Sequence, residues 1–141
     1  MVQGLSRAHL KALSLSKLDD AALLFQCERW ASAYYLAGYA VELGLKACAA
    51  TQFSAETIPD KKLVNSLHTH SLDSLVGLAG LRADLRAKQD EDSEFSANWG
   101  ITLEWVPESR YESTDKSSAH YLINAIQNEQ HGVLPWIQTH W

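Results

Sequence analysis

From Arg29 to Ala50 the chain reads RWASAYYLAGYAVELGLKACAA, without a proline. Ala33, Ala37, Ala40, Val41, Gly44, Leu45 and Cys48 recur at steps of three and four, the rhythm of one helix face. Tyr35, Tyr39, Glu42 and Lys46 keep the same rhythm on a second stripe, which holds every charge after Arg29. Glu42 interrupts the apolar run too early for a membrane span. The pattern predicts a central helix that touches neighbours around most of its circumference. Gly38 and Gly44 each cost about 1 kcal/mol of helix propensity relative to alanine. Keeping them predicts the close approach of another backbone, from a helix of the same chain or from the same helix of a second subunit.

Before this stretch, Ser6 is an N-cap candidate, and Leu10, Leu13, Leu18, Ala21, Ala22, Phe25 and Cys27 form an apolar stripe. One long helix over about residues 6–27 is predicted, with Ser16-Lys-Leu-Asp19 as an alternative fresh start through a capping box. The short break at Glu28 and Arg29 predicts an antiparallel hairpin. Phe53 to Lys62 reads as a connection, and Lys61 to Ser66 as one or two helical turns. Thr69 or Ser71 caps a third helix carrying Leu72, Leu75, Val76 and Leu78, which Gly80 ends or bends. Helical spacing resumes over Leu81 to Gln89. Phe95, Trp99, Ile101, Leu103 and Trp105 predict a short helix and then an extended turn toward Pro107. Ser113 to Asp115 form a cap, Ala119, Leu122, Ile123, Ala125 and Ile126 mark a helix over about 116–128, and Gly132 precedes a last short helix at Leu134-Pro-Trp-Ile-Gln. The expected fold is all-α: one domain over residues 1–141, an antiparallel bundle of four main helices with short additional ones.

Length and ordinary apolar content agree with one domain that buries about two thirds of its unfolded surface. Residues 1–50 carry five basic and four acidic side chains, and the remainder seven basic and thirteen acidic, for a net charge of −5. An acidic chain lacks the general attraction behind non-specific polyanion binding, so broad DNA binding is not expected. Cys27 and Cys48 both fall on apolar stretches and are expected as buried thiols. The start, MVQGLSRAHLKALS, has no continuous apolar core, so a cytoplasmic protein without a membrane association is expected. Trp30, Trp99, Trp105 and Trp136 are expected in a core or interface, and Trp141 half exposed.

Candidate chemistry is sparse. Glu42 and Lys46 stand four apart with the acid first, the better order for a helix ion pair. They either hold each other and a neighbouring helix, or line a groove with Tyr35 and Tyr39. Arg110 beside Tyr111 either presents a bidentate fork to a phosphate or pairs with Glu42 or Glu108, its stem on Trp105. His68 and His70 lack the further ligands that zinc needs, so no metal is predicted and His70 reads as a cap or packing residue. The acid run Asp90-Glu-Asp-Ser-Glu94 reads as a solvated helix start. No cofactor motif, phosphate loop or nucleophile–base pair is found.

YYLAGYAVELGLKACAA resembles the signature helix of the HEPN family (higher eukaryotes and prokaryotes nucleotide-binding), with its aGYavE-xx-LK core. The break at Glu28-Arg-Trp30, the His-x-Leu element at His70 to Leu72, the W-x-x-x-x-RY segment from Trp105 to Tyr111 and Gly132-Val-Leu-Pro-Trp-Ile137 extend the resemblance along nearly the whole chain. It implies a helical bundle acting as a homodimer, and it favours the groove reading, in which Tyr35 and Tyr39 stack on a base, Lys46 meets a phosphate and Glu42 binds a sugar or base edge, with Arg110 and Tyr111 as further ligand-binding candidates. It also implies a small nucleotidyltransferase partner in a toxin–antitoxin or defence-type pair. Ribonuclease members resemble one another in an arginine followed after about four to six residues by a histidine, the pair acting on the ribose hydroxyl and the phosphorane. Here nine residues separate Arg110 from His120, and no other arginine has a histidine at that distance. A non-catalytic module binding a nucleotide, RNA or a partner is therefore expected. The alternatives are a metal-independent endoribonuclease using Arg110 and His120, and a structural subunit without a ligand.

Overall fold

Ser6 starts the first helix, its Oγ accepting from the His9 backbone N–H at 3.1 Å. The computed structural model describes residues 4–141; the first three positions of the expected 1–141 domain lie outside the described residues. Helix α1 (Arg7–Gln26) runs unbroken through Ser16, so the fresh start at the capping box does not occur. The break is three residues, Cys27 to Arg29, and leads into α2 (Trp30–Ala50). The two helices pack antiparallel: Ser14 Oγ donates to the Ala40 carbonyl at 2.6 Å, while the earlier Leu10 packs on the later Leu43 and Ala47. Short α3 (Lys61–Ser66) and α4 (Leu72–Leu78) follow, then α5 (Arg82–Glu91) and α6 (Ser93–Leu103). A 3-10 turn over Pro107–Tyr111 leads to α7 (Lys116–Gln127) and α8 (Val133–Gln138). No strand occurs among the described residues, and the fold is an all-α bundle.

Helix α2 is the axis, contacted by α1, α4, α7, α8 and the 3-10 turn. All seven residues of its predicted apolar face are buried. Around it lie Leu75, Leu122, Ile126 and Ile137, each fully buried and each worth about 1.5–3 kcal/mol in transfer free energy. The close neighbour expected at the two glycines lies within the chain: α1 packs along α2, with Ser14 Oγ on the Ala40 carbonyl, while the atoms nearest the glycines themselves are side chains. A Cβ on Gly38 would run into the Trp105 ring, and one on Gly44 would meet Ile137, Ser14 and Leu134 side chains at 3.1 to 3.4 Å. The indole fills the gap at Gly38, and short and branched side chains of α1 and α8 fill the one at Gly44. The expected burial of Cys27 is corrected: it is exposed as the C-cap of α1, because the helix ends before its face can turn inward. Cys48 is buried with its thiol pushed up to about 11 by desolvation. Trp99, Trp105 and Trp136 are core residues, while Trp30 and Trp141 are partly buried.

Two helix ends show the same left-handed stop built from different residues. After α1, Glu28 has φ 61° while Glu28 and Arg29 N–H groups return to the Phe25 and Leu24 carbonyls. After α4, Gly80 has φ 74° and the same pair of bonds runs to Gly77 and Val76. Glutamate pays a steric penalty there that glycine does not. Glu28→Gly is therefore expected to raise stability by about 0.5–1 kcal/mol and Gly80→Ala to lower it by about 1 kcal/mol, as read by urea denaturation.

The acid run is not merely solvated. Asp92 caps α6 by accepting from the Phe95 N–H at 3.0 Å, and Lys88 and His131 reach its carboxylate at 3.3 and 2.8 Å. The Phe95 N–H first, then His131, holds the Asp92 carboxyl down to about 2 from an ordinary 3.8. A depressed carboxyl contributes stability that is fully present above its unfolded value and is lost as pH falls through its folded one. The wild-type chain should thus lose stability between pH 3.8 and about 2, and Asp92→Asn should flatten that decline in denaturation midpoints measured across the same interval.

Candidate functional site

The second stripe of α2 divides into two halves. In the first, Tyr35 and Tyr39 lie nearly parallel, 7° apart with centroids at 6.1 Å, and Tyr35 sits 6.0 Å from the Trp105 ring. Burial first, and then Glu42, raises the Tyr39 phenol above its ordinary value, so it stays protonated. The 3-10 turn, fixed by Pro107 at its start, brings Arg110 to this half. The guanidinium lies 4.9 Å from the Tyr111 ring, and the neighbouring Tyr35 and then Tyr111 favour its charged form. Tyr111 is itself 78% exposed.

In the second half, Glu42 is closed off at 2% exposure. Lys46 Nζ meets its Oε2 at 3.3 Å and His70 Nδ1 its Oε1 at 3.0 Å, which places a proton on that ring nitrogen. Both carboxylate oxygens are thereby engaged from within the chain. The pairing of Arg110 with Glu42 weighed from the sequence is not formed. Arg110 reaches α2 at Tyr35, seven residues before Glu42, a rise of about 10 Å along a helix. Nor does Arg110 pair with Glu108; among the described residues it has no carboxylate at ion-pair distance. His70 is not the cap of α4, a role Ser71 takes through its Oγ and the Ser74 N–H.

Arg110 stands on a ridge between two hollows. One, of about 580 Å³, is lined by His70, Asp73, Trp105, Pro107, Glu108 and Arg110 among others, with Asp73 paired to Arg82. The other, of about 330 Å³, lies against Leu24, Ser32, Tyr35 and Leu36. Trp105 is 3% exposed, and its Nε1–H has no hydrogen-bond partner. A buried donor left unpaired costs about 1–3 kcal/mol, a deficit that a bound acceptor would remove. The arrangement offers a cation, flat aromatic faces and an unused donor to an anionic, aromatic ligand.

Of the six candidates, Tyr35, Arg110 and Tyr111 come together and Tyr39 continues their row. Glu42 and Lys46 lie apart, and Lys46 opens instead on an apolar hollow with Leu10, Phe53, Leu67 and His68. His120 is exposed on α7, its ring 5.9 Å from Phe25 and its Nε2 3.1 Å from Asn124 Nδ2. It lines neither of the hollows beside Arg110. Sequence reasoning missed Trp105 as a wall of the site and His70 as the partner of Glu42, although both stood in quoted segments. Among the described residues no three His, Cys, Asp or Glu side chains converge on a metal position, and no helix is long and apolar enough to cross a membrane. Compared with protein-family models, curated proteins and solved structures, the chain finds no match.

Proposed function

We propose that the chain is a HEPN-type module that binds a nucleotide or RNA end without cleaving it. Its place is at the Arg110 ridge. The observation that carries this reading is an arginine without a carboxylate partner, set between Tyr35 and Tyr111 and beside the unpaired Trp105 N–H. Arg110 would grip a phosphate as a fork, a tyrosine face would take the base, and Trp105 would donate to an oxygen. The same reading makes the protein a cytoplasmic homodimer working beside a small nucleotidyltransferase in a toxin–antitoxin or defence-type pair. Both the dimer and the partner follow from the resemblance in its signature helix.

Titration with ATP, AMP and a short 5′-phosphorylated RNA, followed by tryptophan fluorescence, tests the site. Arg110→Ala should weaken binding by roughly tenfold or more, the worth of one hydrogen-bonded charge. If none of these ligands binds and Arg110→Ala alters only stability or assembly, the chain is a structural subunit. Cleavage of RNA in EDTA that is lost on His120→Ala would make it a ribonuclease instead. Light scattering checks the dimer.

A further inference from the structure

We propose that a separate acidic pocket, between α2, α6, the 3-10 turn and the start of α7, binds an aliphatic organic cation bearing an ammonium or guanidinium group. The pocket holds about 360 Å³ and is lined by three acids, Glu104, Glu112 and Asp115, with Tyr34 and Tyr121 on its sides and Ser109 at its wall. Ser109 is 5% exposed and its Oγ has no hydrogen-bond partner. A hydroxyl withdrawn from water and left unpaired beside a pocket is accounted for when a ligand supplies the missing bond.

The charges point the same way. Among the described residues none of the three carboxylates forms an ion pair with Lys, Arg or His. The basic side chains nearest in sequence are occupied elsewhere, Lys116 over the Trp30 ring at 5.7 Å and Arg110 over Tyr111. Asp115 uses Oδ1 to accept from the Ser118 N–H at 2.8 Å, and the Ser118 backbone and then its side chain hold the carboxyl below its ordinary value, so it stays ionised. Glu104 and Glu112 both raise the Tyr34 phenol, after burial itself, so their field reaches the pocket side of that ring. A divalent metal is a poor match, since these carboxylates do not converge as a metal requires. An alkylammonium or guanidinium suits the mixture better. Its charge meets carboxylates spread around the rim, its N–H groups reach Ser109, and its methylenes or charged face lie on the tyrosines, Ile101 and Val106.

A free polyamine and a basic side chain of a partner share this chemistry. Calorimetric titration of the full chain with spermidine, with arginine amide and with a lysine- and arginine-bearing peptide, at constant ionic strength, separates the two. Saturable binding of at least one is expected. It should weaken about tenfold in Glu104→Gln/Glu112→Gln, both exposed positions, as two partly screened pairs are lost. Ser109→Ala should weaken it less, and Arg110→Ala should leave it unchanged, which keeps this pocket distinct from the Arg110 ridge. Spermidine favoured over the peptide identifies the free polyamine, and the reverse identifies a protein side chain. No saturable heat with any of the three, binding equal in the double variant, or displacement by an equal concentration of magnesium would overturn the proposal.

Discussion

Gly38→Ala is expected to destabilise the protein by about 3 kcal/mol, although alanine is the better helix former by about 1 kcal/mol. The added methyl would overlap three atoms of the Trp105 ring. Neither side can yield cheaply. Gly38 belongs to the axis that several helices grip, and Trp105 is itself 3% exposed, wedged after the end of α6. The ring must leave its seat, carrying the 3-10 turn and Arg110 with it. Gly100 is the control: it also lies in a helix, yet a Cβ there meets nothing within 4 Å. Gly100→Ala should stabilise by about 0.5–1 kcal/mol through the unfolded chain. Opposite signs for one substitution at two helical glycines, read from urea midpoints, would establish Trp105 packing as the cause. Equal stabilisation at both would refute it. Ligand binding at the ridge should weaken in Gly38→Ala as well, because Trp105 forms a wall of that groove.

The second large effect concerns Glu42. Lys46→Met should cost about 2–3 kcal/mol, because it leaves a buried carboxylate with one partner, the mostly exposed His70. Glu42→Gln should cost only about 1 kcal/mol, since the amide keeps the shape and can still bond His70. The double variant should be less destabilised than the sum, and near Glu42→Gln alone, because no stranded charge remains. A double-mutant cycle in denaturant measures this. Strict additivity would mean that Lys46 contributes only its exposed end, as surface pairs do. The asymmetry matters for function too. A carboxylate saturated by Lys46 and His70 acts as a brace between α2 and the entry to α4, and the part of the stripe left for a ligand is its tyrosine end.

Local order explains what was readable in advance. The expected helices at about 6–27 and 116–128 are observed at Arg7–Gln26 and Lys116–Gln127, and the seven-residue apolar face of α2 is buried throughout. These depend on periodicity, caps and breakers within a few residues of each other. Ser6, Ser71 and Asp115 each cap a helix through a hydroxyl or carboxylate three residues from its donor. Partners across the fold were not readable in the same way. The Glu42–His70 contact spans 28 residues, and the sequence offered Arg110, not His70, as a distant partner for that carboxylate. Gly38 and Gly44 announced a close backbone without saying whether it belonged to the same chain or to another subunit, and gave no sign of the Trp105 indole at Gly38.

By itself the amino-acid sequence determined that this chain is helical, where its long helices run, and which face of the central one turns inward, because apolar spacing acts through neighbours one turn away. Only the tertiary structure decided that Trp105 fills the gap at Gly38, that His70 rather than Arg110 closes Glu42, and that the adjacent Ser109 and Arg110 border different pockets. Those outcomes depend on where a turn releases a side chain after many residues, and on which group reaches a charge first at a distance of a few ångströms. Interactions that steep in distance leave little trace in spacing along the chain.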